Sequence, residues 1–338
     1  MIEQLKKRML VFSLVLVMAT IPFLAGCSTG GGTGGNAGES EPTAIETEEP
    51  DLETADIEEQ EVPLTNQPAS AKFLIPTASG ITVHKSGNVL LDASNTKEGY
   101  VMVQYSGTNP KIKVQITKAK GVTYTYDLNA RKAYEVFPLS EGDGTYTIKV
   151  FENISGTKYS QAFSKAVEVK LTNGFLPFLY PNQYVNFGTG STTVAKGLEV
   201  TKGVDTQLKK VEKIYSYVVT NMTYDKEKAA TVKSGYLPEV DRILAMKKGI
   251  CFDYAAVMAT MLRSQNIPAK LVVGYAGQAY HAWINVYTKE TGWVDAMIYF
   301  DGDKWHMMDP TFASSAKKSK EIMKYIGDGK NYTSKYTY

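Results

Sequence analysis

The amino-acid sequence predicts a multidomain protein, an N-terminal all-β sandwich followed by an α+β core. Three observations lead there. Residues 72–172 alternate between apolar and polar positions, strictly so in Lys111-Ile112-Lys113-Val114-Gln115-Ile116-Thr117 and Thr145-Tyr146-Thr147-Ile148-Lys149-Val150, with turn residues between the segments and no helical stretch. After Asp205 the apolar spacing turns helical, at Leu208, Val211, Tyr215 and Val218 and again at Ala255, Met258, Ala259, Met261 and Leu262. Beyond Pro268 extended segments return. A chain of 338 residues with 43% hydrophobic and 21% charged residues has the length for two or three domains and the material for their cores.

The N-terminus comes first. Lys6, Lys7 and Arg8 precede an apolar run from Met9 to Leu24, and Leu24-Ala25-Gly26-Cys27 closes it. Basic, apolar and small-residue regions in that order make residues 1–26 a secretory signal peptide. The closing residues resemble a bacterial lipobox, which implies a lipid on Cys27 as the first mature residue and an extracytoplasmic, membrane-anchored location. The competing reading is an uncleaved anchor helix, but the run of about 16 residues is short of the roughly 20 a spanning helix needs. Residues 27–71 form a tether, glycine-rich from Gly30 to Gly38 and then acidic, with too little apolar area to fold. That tether carries eleven acidic residues and no basic one; from Lys72 onward 34 basic and 23 acidic residues remain, a net +11. Such a body suits anionic wall polymers or an anionic membrane surface, or else its lysines serve solubility. An exported chain without a recognition motif does not point to nucleic acid.

Within residues 72–172, strands are expected near 80–85, 88–92, 99–105, 111–117, 121–127, 132–137, 145–150 and 160–170. Seven or eight short strands in about 100 residues suggest an immunoglobulin-like or fibronectin-like sandwich. His84 reads as a structural strand residue, and no site is expected in this domain. Residues 173–203 are a connector rich in Pro, Gly and aromatics. Asp205 is the expected N-cap of a helix reaching Thr220, and Pro238 to Met246 a second, short helix. Strands are expected over Ala269–Tyr275, Ala279–Thr288, Gly292–Tyr299 and Lys304–Asp309, with Asp301-Gly302-Asp303 as a turn. Residues 313–338 are a tail with a helix around 320–326; its Tyr332, Tyr336 and Tyr338 are suited to docking on the body.

The chemistry gathers at Lys248-Gly249-Ile250-Cys251-Phe252-Asp253-Tyr254-Ala255. The chain has two cysteines, and lipidation of Cys27 leaves Cys251 without a disulfide partner. Gly249 and the apolar run after Cys251 place the thiol at a helix N-terminus, where unpaired N–H groups and the helix dipole favour a thiolate and a low pKa. A lone cysteine can also be a small buried hydrophobe. Against that stand a downstream base, His281, and an orienting carboxylate, Asp309.

Four segments together resemble the transglutaminase-like superfamily, related to papain-like cysteine proteases. They are Lys248–Ala255, Asn266–Tyr275, His281-Ala282-Trp283-Ile284-Asn285-Val286-Tyr287 and Trp305-His306-Met307-Met308-Asp309-Pro310-Thr311, in the family's order over about residues 205–312. The resemblance implies that residues 204–312 are a catalytic domain with Cys251, His281 and Asp309 as its triad. It implies an oxyanion hole made by the Cys251 N–H and an upstream side chain, for which Asn221 and Tyr224 are the candidates. Trp283 and Trp305 would wall the site as auxiliary residues. The segment between His281 and Asp309 is longer than usual, so Asp295 is a rival orienting residue and His306 a rival base.

No CxxC or HExxH spacing and no glycine-rich phosphate loop occur in the body, so no metal and no cofactor are expected. The leading expectation is a membrane-tethered, extracytoplasmic cysteine enzyme. It would act on amide bonds of a protein or peptide substrate, cell-wall and surface proteins among the candidates, by hydrolysis or by acyl transfer to an amine. The alternatives are a cell-surface adhesion protein that uses the sandwich beside a silent core, and a wall-associated protein with a polymer-binding basic face.

Overall fold

A computed structural model describes residues 73–130, 132–276, 279–300, 305–307 and 332–338. All of them belong to one compact unit, Ala55–Tyr338. The signal segment, the tether, Asp309 and the helix expected around 320–326 lie outside the described residues.

The eight strands expected in the first domain are present: β1 (Val83–Ser86), β2 (Val89–Asp92), β3 (Tyr100–Tyr105), β4 (Ile112–Lys118), β5 (Thr123–Asp127), β6 (Glu135–Pro138), β7 (Gly144–Ser155) and β8 (Lys158–Val169). They form two four-stranded antiparallel sheets, ordered β1-β2-β3-β6 and β5-β4-β7-β8. Alternation decides which residues enter the core. Val89, Leu91, Val101, Val103 and Phe137 of the first sheet and Val114, Ile116, Tyr126, Ile148 and Val150 of the second are buried in one continuous apolar cluster. Each such side chain contributes about 1.5–3 kcal/mol by leaving water.

The stretch read as a connector is not one throughout. Its second half folds as α1 (Thr192–Val200), capped by the Ser191 hydroxyl and by Asp241, whose Oδ1 accepts from Ser191 Oγ at 2.7 Å and from the Thr193 N–H at 2.8 Å. Thr192, Thr193, Val194 and Gly197 are poor helix formers, so propensity hides this helix and packing makes it. α2 (Gln207–Asn221) buries Val211, Ile214 and Val218; its N-cap is Thr206, whose hydroxyl accepts from the Lys209 N–H, and not Asp205. Then come β9 (Thr223–Tyr224), the unforeseen α3 (Lys226–Thr231), α4 (Val240–Met246), β10 (Lys248–Gly249) and α5 (Cys251–Arg263). From Asp253 to Arg263 every residue of α5 is buried, so this helix is the axis of the core.

A five-stranded antiparallel sheet packs on α5: β11 (Ala269–Ala276), β12 (Ala279–Thr288), β13 (Gly292–Phe300), β14 (Trp305–Met307) and β15 (Tyr332–Thr337), ordered β14-β13-β12-β11-β15. The end of the chain is thus no loose tail, because β15 completes the sheet beside β11. The docking expected of its tyrosines is seen. Tyr336 and Tyr338 pack on Tyr124 of the sandwich with ring centroids 5.4 and 5.6 Å away, and Tyr338 lies 4.3 Å from Tyr184. Ser140 donates to the Thr337 carbonyl at 2.7 Å, and the Thr337 N–H donates to the Tyr124 hydroxyl at 3.2 Å. Arg263 ties the same region from within. Fully buried, it donates to the carbonyls of Tyr180, Ala269 and Tyr338 at 2.6–2.9 Å. Burial pulls its guanidinium down to about 9, so it stays charged at neutral pH.

Candidate active site

Cys251 is the first residue of α5, after Ile250 in extended backbone (φ −93, ψ 176). A buried carboxylate fixes that start. Asp253, fully buried two residues on, accepts the Ile250 N–H at 2.9 Å, the Tyr236 hydroxyl at 2.6 Å and the Lys228 ammonium at 2.5 Å. Lys228 also donates to the Tyr236 hydroxyl at 2.6 Å and lies 4.2 Å from the centre of its ring. Gly249 makes room for this, since a Cβ there would stand 2.6 Å from that of Asp253. An acidic residue in a first helical turn is a legible cap signal. The partners Lys228 and Tyr236, from a segment more than fifteen residues upstream, have no such signature and were not foreseen.

β10 also pairs in parallel with β9, with Gly249 opposite Tyr224. This two-residue ladder holds Tyr224 against Cys251. The Tyr224 hydroxyl and the backbone N–H groups of Phe252 and Ala282 lie near enough to the sulfur to favour its thiolate, and the Cys251 N–H in turn favours the ionised form of Tyr224. Of the two upstream candidates, then, Tyr224 reaches the nucleophile. Asn221 is spent on its own helix, donating to the Tyr217 carbonyl at 2.7 Å.

The expected low pKa of Cys251 needs correction. Burial pushes the thiol above its ordinary value; the three donors pull it down and nearby Asp253 pushes it further up. The N–H groups and the dipole of the helix end act against the desolvation of a largely enclosed sulfur, and desolvation wins. The Tyr224 hydroxyl is raised to about 12, first by burial and then by the neighbouring Cys251.

His281 lies on β12, buried, with Gly274 as its register partner on β11. It shares one cleft with Cys251. This cavity of about 740 Å³ is lined by Tyr224, Ile250, Cys251 and Phe252 on one side and by Tyr280, His281 and Ala282 on the other. Trp283 is buried beside the imidazole, ring centroids 6.4 Å apart and near-parallel, so it covers His281 and does not line the cavity. Asp295, the rival orienting residue, is exposed on β13, where its Oδ1 accepts from Asn285 Nδ2 at 2.6 Å, four residues along β12 from His281. Trp305 and His306 lie on β14, in register with Phe300 and Tyr299 of β13, so a whole strand separates them from β12.

The sandwich, read as free of any site, furnishes a wall of the same cleft through Lys113, Thr125, Asp127 and Asn129. Their docking onto the core depends on tertiary structure, which strand periodicity does not carry. A second depression of about 620 Å³ between β1 and β8 includes His84 and no thiol or carboxylate. Among the described residues no group of His, Cys, Asp and Glu converges as metal ligands, and no helix is long and apolar enough to cross a membrane.

A free thiol opening a buried helix and an imidazole from the adjoining sheet thus meet on one cleft. Residues 194–310, about a third of the chain, match the transglutaminase-like superfamily. The match begins inside α1, in keeping with that helix being part of the core. The uncharacterized protein YebA of Bacillus subtilis (strain 168) is 26% identical over 208 residues, 54% of this chain but only 27% of YebA. Two solved structures share a looser likeness. A candidate cysteine protease from Cytophaga hutchinsonii is 14% identical, with 70% of this chain and 86% of that one covered and a TM-score of 0.33. The periplasmic domain of TgpA from Pseudomonas aeruginosa, bound to ethylmercury, is 16% identical, with 72% and 78% covered and a TM-score of 0.30.

Proposed function

We propose that this protein is a cysteine enzyme that acts on amide bonds, of glutamine side chains or of peptides, through a thioester on Cys251. One observation carries the reading: Cys251 at the head of α5 and His281 on β12 line one cleft. Because burial keeps the thiol protonated at rest, His281 acts as a general base and removes the proton as the sulfur attacks the carbonyl carbon. The carbonyl oxygen becomes an oxyanion that accepts from the Cys251 N–H and the Tyr224 hydroxyl. Collapse breaks the C–N bond, and the imidazolium gives its proton to the leaving amine. Water or a second amine then attacks the thioester, loses a proton to His281, and the thiol departs reprotonated. Asp309 holds the imidazole tautomer and balances its charge. Trp283 shields that pair from water.

The same proposal places the enzyme outside the cytoplasmic membrane, tethered through a lipid on Cys27 and residues 27–71. The sandwich is read as immunoglobulin-like or fibronectin-like. In support, consecutive strands change sheet between β3 and β4, β5 and β6, and β6 and β7, as a Greek-key sandwich requires.

An electrophilic thiol probe with an amide backbone tests the activity. Covalent labelling at Cys251 is expected in the native chain, absent from Cys251→Ala and strongly slowed in His281→Ala. Equal labelling of the native and His281→Ala proteins would sink the reading.

A further inference from the structure

We infer that the cleft recognises an anionic polypeptide, and that the sandwich and the last strand are its recognition half. The inference builds on the reading of Cys251 and His281 as the reacting pair, but only for what happens to a bound chain; the binding itself rests on other residues.

The geometry comes from three separate parts of the chain. On β4 and β5, Lys113 and Asp127 are register partners, on the face opposite the buried Tyr124 and Tyr126, and they pair at 2.7 Å. The segment after α3 carries Lys233 and rests on the sandwich at Gly235, where a Cβ would lie 3.1 Å from Asp127 Oδ2. Exposed Lys335 on β15 closes the ring, its ammonium 5.6 Å from the centre of the Tyr336 ring. All of these line the cavity that holds the thiol and the imidazole.

Charge gives the class of ligand. Three lysines and one carboxylate line the void; Asp127 is matched by Lys113, which leaves the charge of Lys233 and Lys335 facing the ligand. Behind them Lys228 and Asp253 neutralise each other. Low-dielectric walls concentrate such a field within a cleft. The volume of about 740 Å³ exceeds what one amide side chain needs and lies within the roughly 300–1,000 Å³ of pockets that enclose larger ligands. Tyr124, Tyr336 and Tyr338 lock sandwich and core together, so both walls stand ready before binding.

The test uses the full chain with Cys251→Ala, which binds without reacting. Fluorescence anisotropy compares two short labelled peptides centred on glutamine, one flanked by glutamates and the other by lysines. The glutamate peptide is expected to bind roughly tenfold tighter at low salt, with the margin shrinking as salt screens it. The double reversal Lys233→Glu, Lys335→Glu should abolish or invert the preference while the melting temperature holds. Equal affinities, no binding of either peptide, or a preference that survives the double reversal would each overturn the inference. Should the glutamate preference appear in a protein whose native form fails the thiol-probe test, the recognition site stands and the enzymatic reading falls.

Discussion

Tyr224 stands beside Cys251 on the wall of the same cleft, where its hydroxyl favours the thiolate. The β9–β10 ladder holds it there, and in the proposed mechanism its O–H and the Cys251 N–H are the two donors to the oxyanion. Tyr224→Phe removes one donor and keeps the ring. Turnover is expected to fall by about 10²–10³-fold, the usual cost of one oxyanion donor, with KM nearly unchanged and the fold intact. A raised KM at constant turnover would assign Tyr224 to substrate binding instead.

The raised thiol of Cys251 has a direct signature in pH. A thiol alkylates through its thiolate, and an ordinary one titrates near 8.5. In the resting protein the iodoacetamide rate at Cys251 should therefore be slow at neutral pH and still climbing above pH 8.5. Tyr224→Phe loses a donor to the thiolate and should shift the profile further to alkaline pH. A rate already level by pH 6 would mean that an imidazolium partner outweighs the burial.

Legibility in the sequence followed the range of the interactions. All eight strands of the sandwich were readable because a period of two is written in neighbouring residues, as in Ile112, Val114 and Ile116. The helix start at Cys251 was readable for the same reason, from Gly249 and the apolar run behind it. α1 was not, because Thr192, Thr193 and Gly197 are weak helix formers held by Asp241 from a distant segment. The direction of the Cys251 shift depends on enclosure, which one dimension does not show. Lys113 and Asp127 look like ordinary outward residues of a hairpin until the sandwich meets the core. The docking of the final tyrosines was foreseen, but their strand was not, since its partner β11 lies about sixty residues earlier.

The cluster beneath the thiol should be sensitive at two points. In Gly249→Ala the new methyl meets Asp253 Cβ at 2.6 Å and its Oδ2 at 2.9 Å, so the helix start must shift. A loss of about 1–3 kcal/mol is expected from such overpacking. In Lys228→Met the Asp253 carboxylate keeps Tyr236 and the Ile250 N–H but loses its cation. The expected cost is about 1–3 kcal/mol, below the ~3–5 of a fully buried pair, because Lys228 keeps 27% of its side chain in solvent. Both variants should lose activity more steeply than stability, since Cys251 sits on the helix turn they disturb. Denaturant melts read beside probe labelling decide this; unchanged melts would show that Asp253 does not anchor the helix start.

The last prediction separates Asp309 from Asp295. Asp295 lies on the strand next to His281, which would favour it by topology alone. Its carboxylate is already engaged, however, accepting from Asn285 at 2.6 Å, and it also faces Lys270, whose depressed pKa it pulls back upward against burial. Replacing it by Asn keeps the size and leaves Asn285 a carbonyl acceptor, so activity should change little. In the sequence Asp309 directly precedes Pro310, which cannot donate to a ladder. The resemblance at Trp305–Thr311 assigns it the orienting role. Asp309→Asn should then lower turnover by orders of magnitude, up to the ~10⁴ that the equivalent change costs a serine triad, and less if the thiol leans less on its base. Turnover and thermal melting of the two variants, measured side by side, decide the matter. A greater loss in Asp295→Asn, with both proteins folded, would move the third member of the triad to β13.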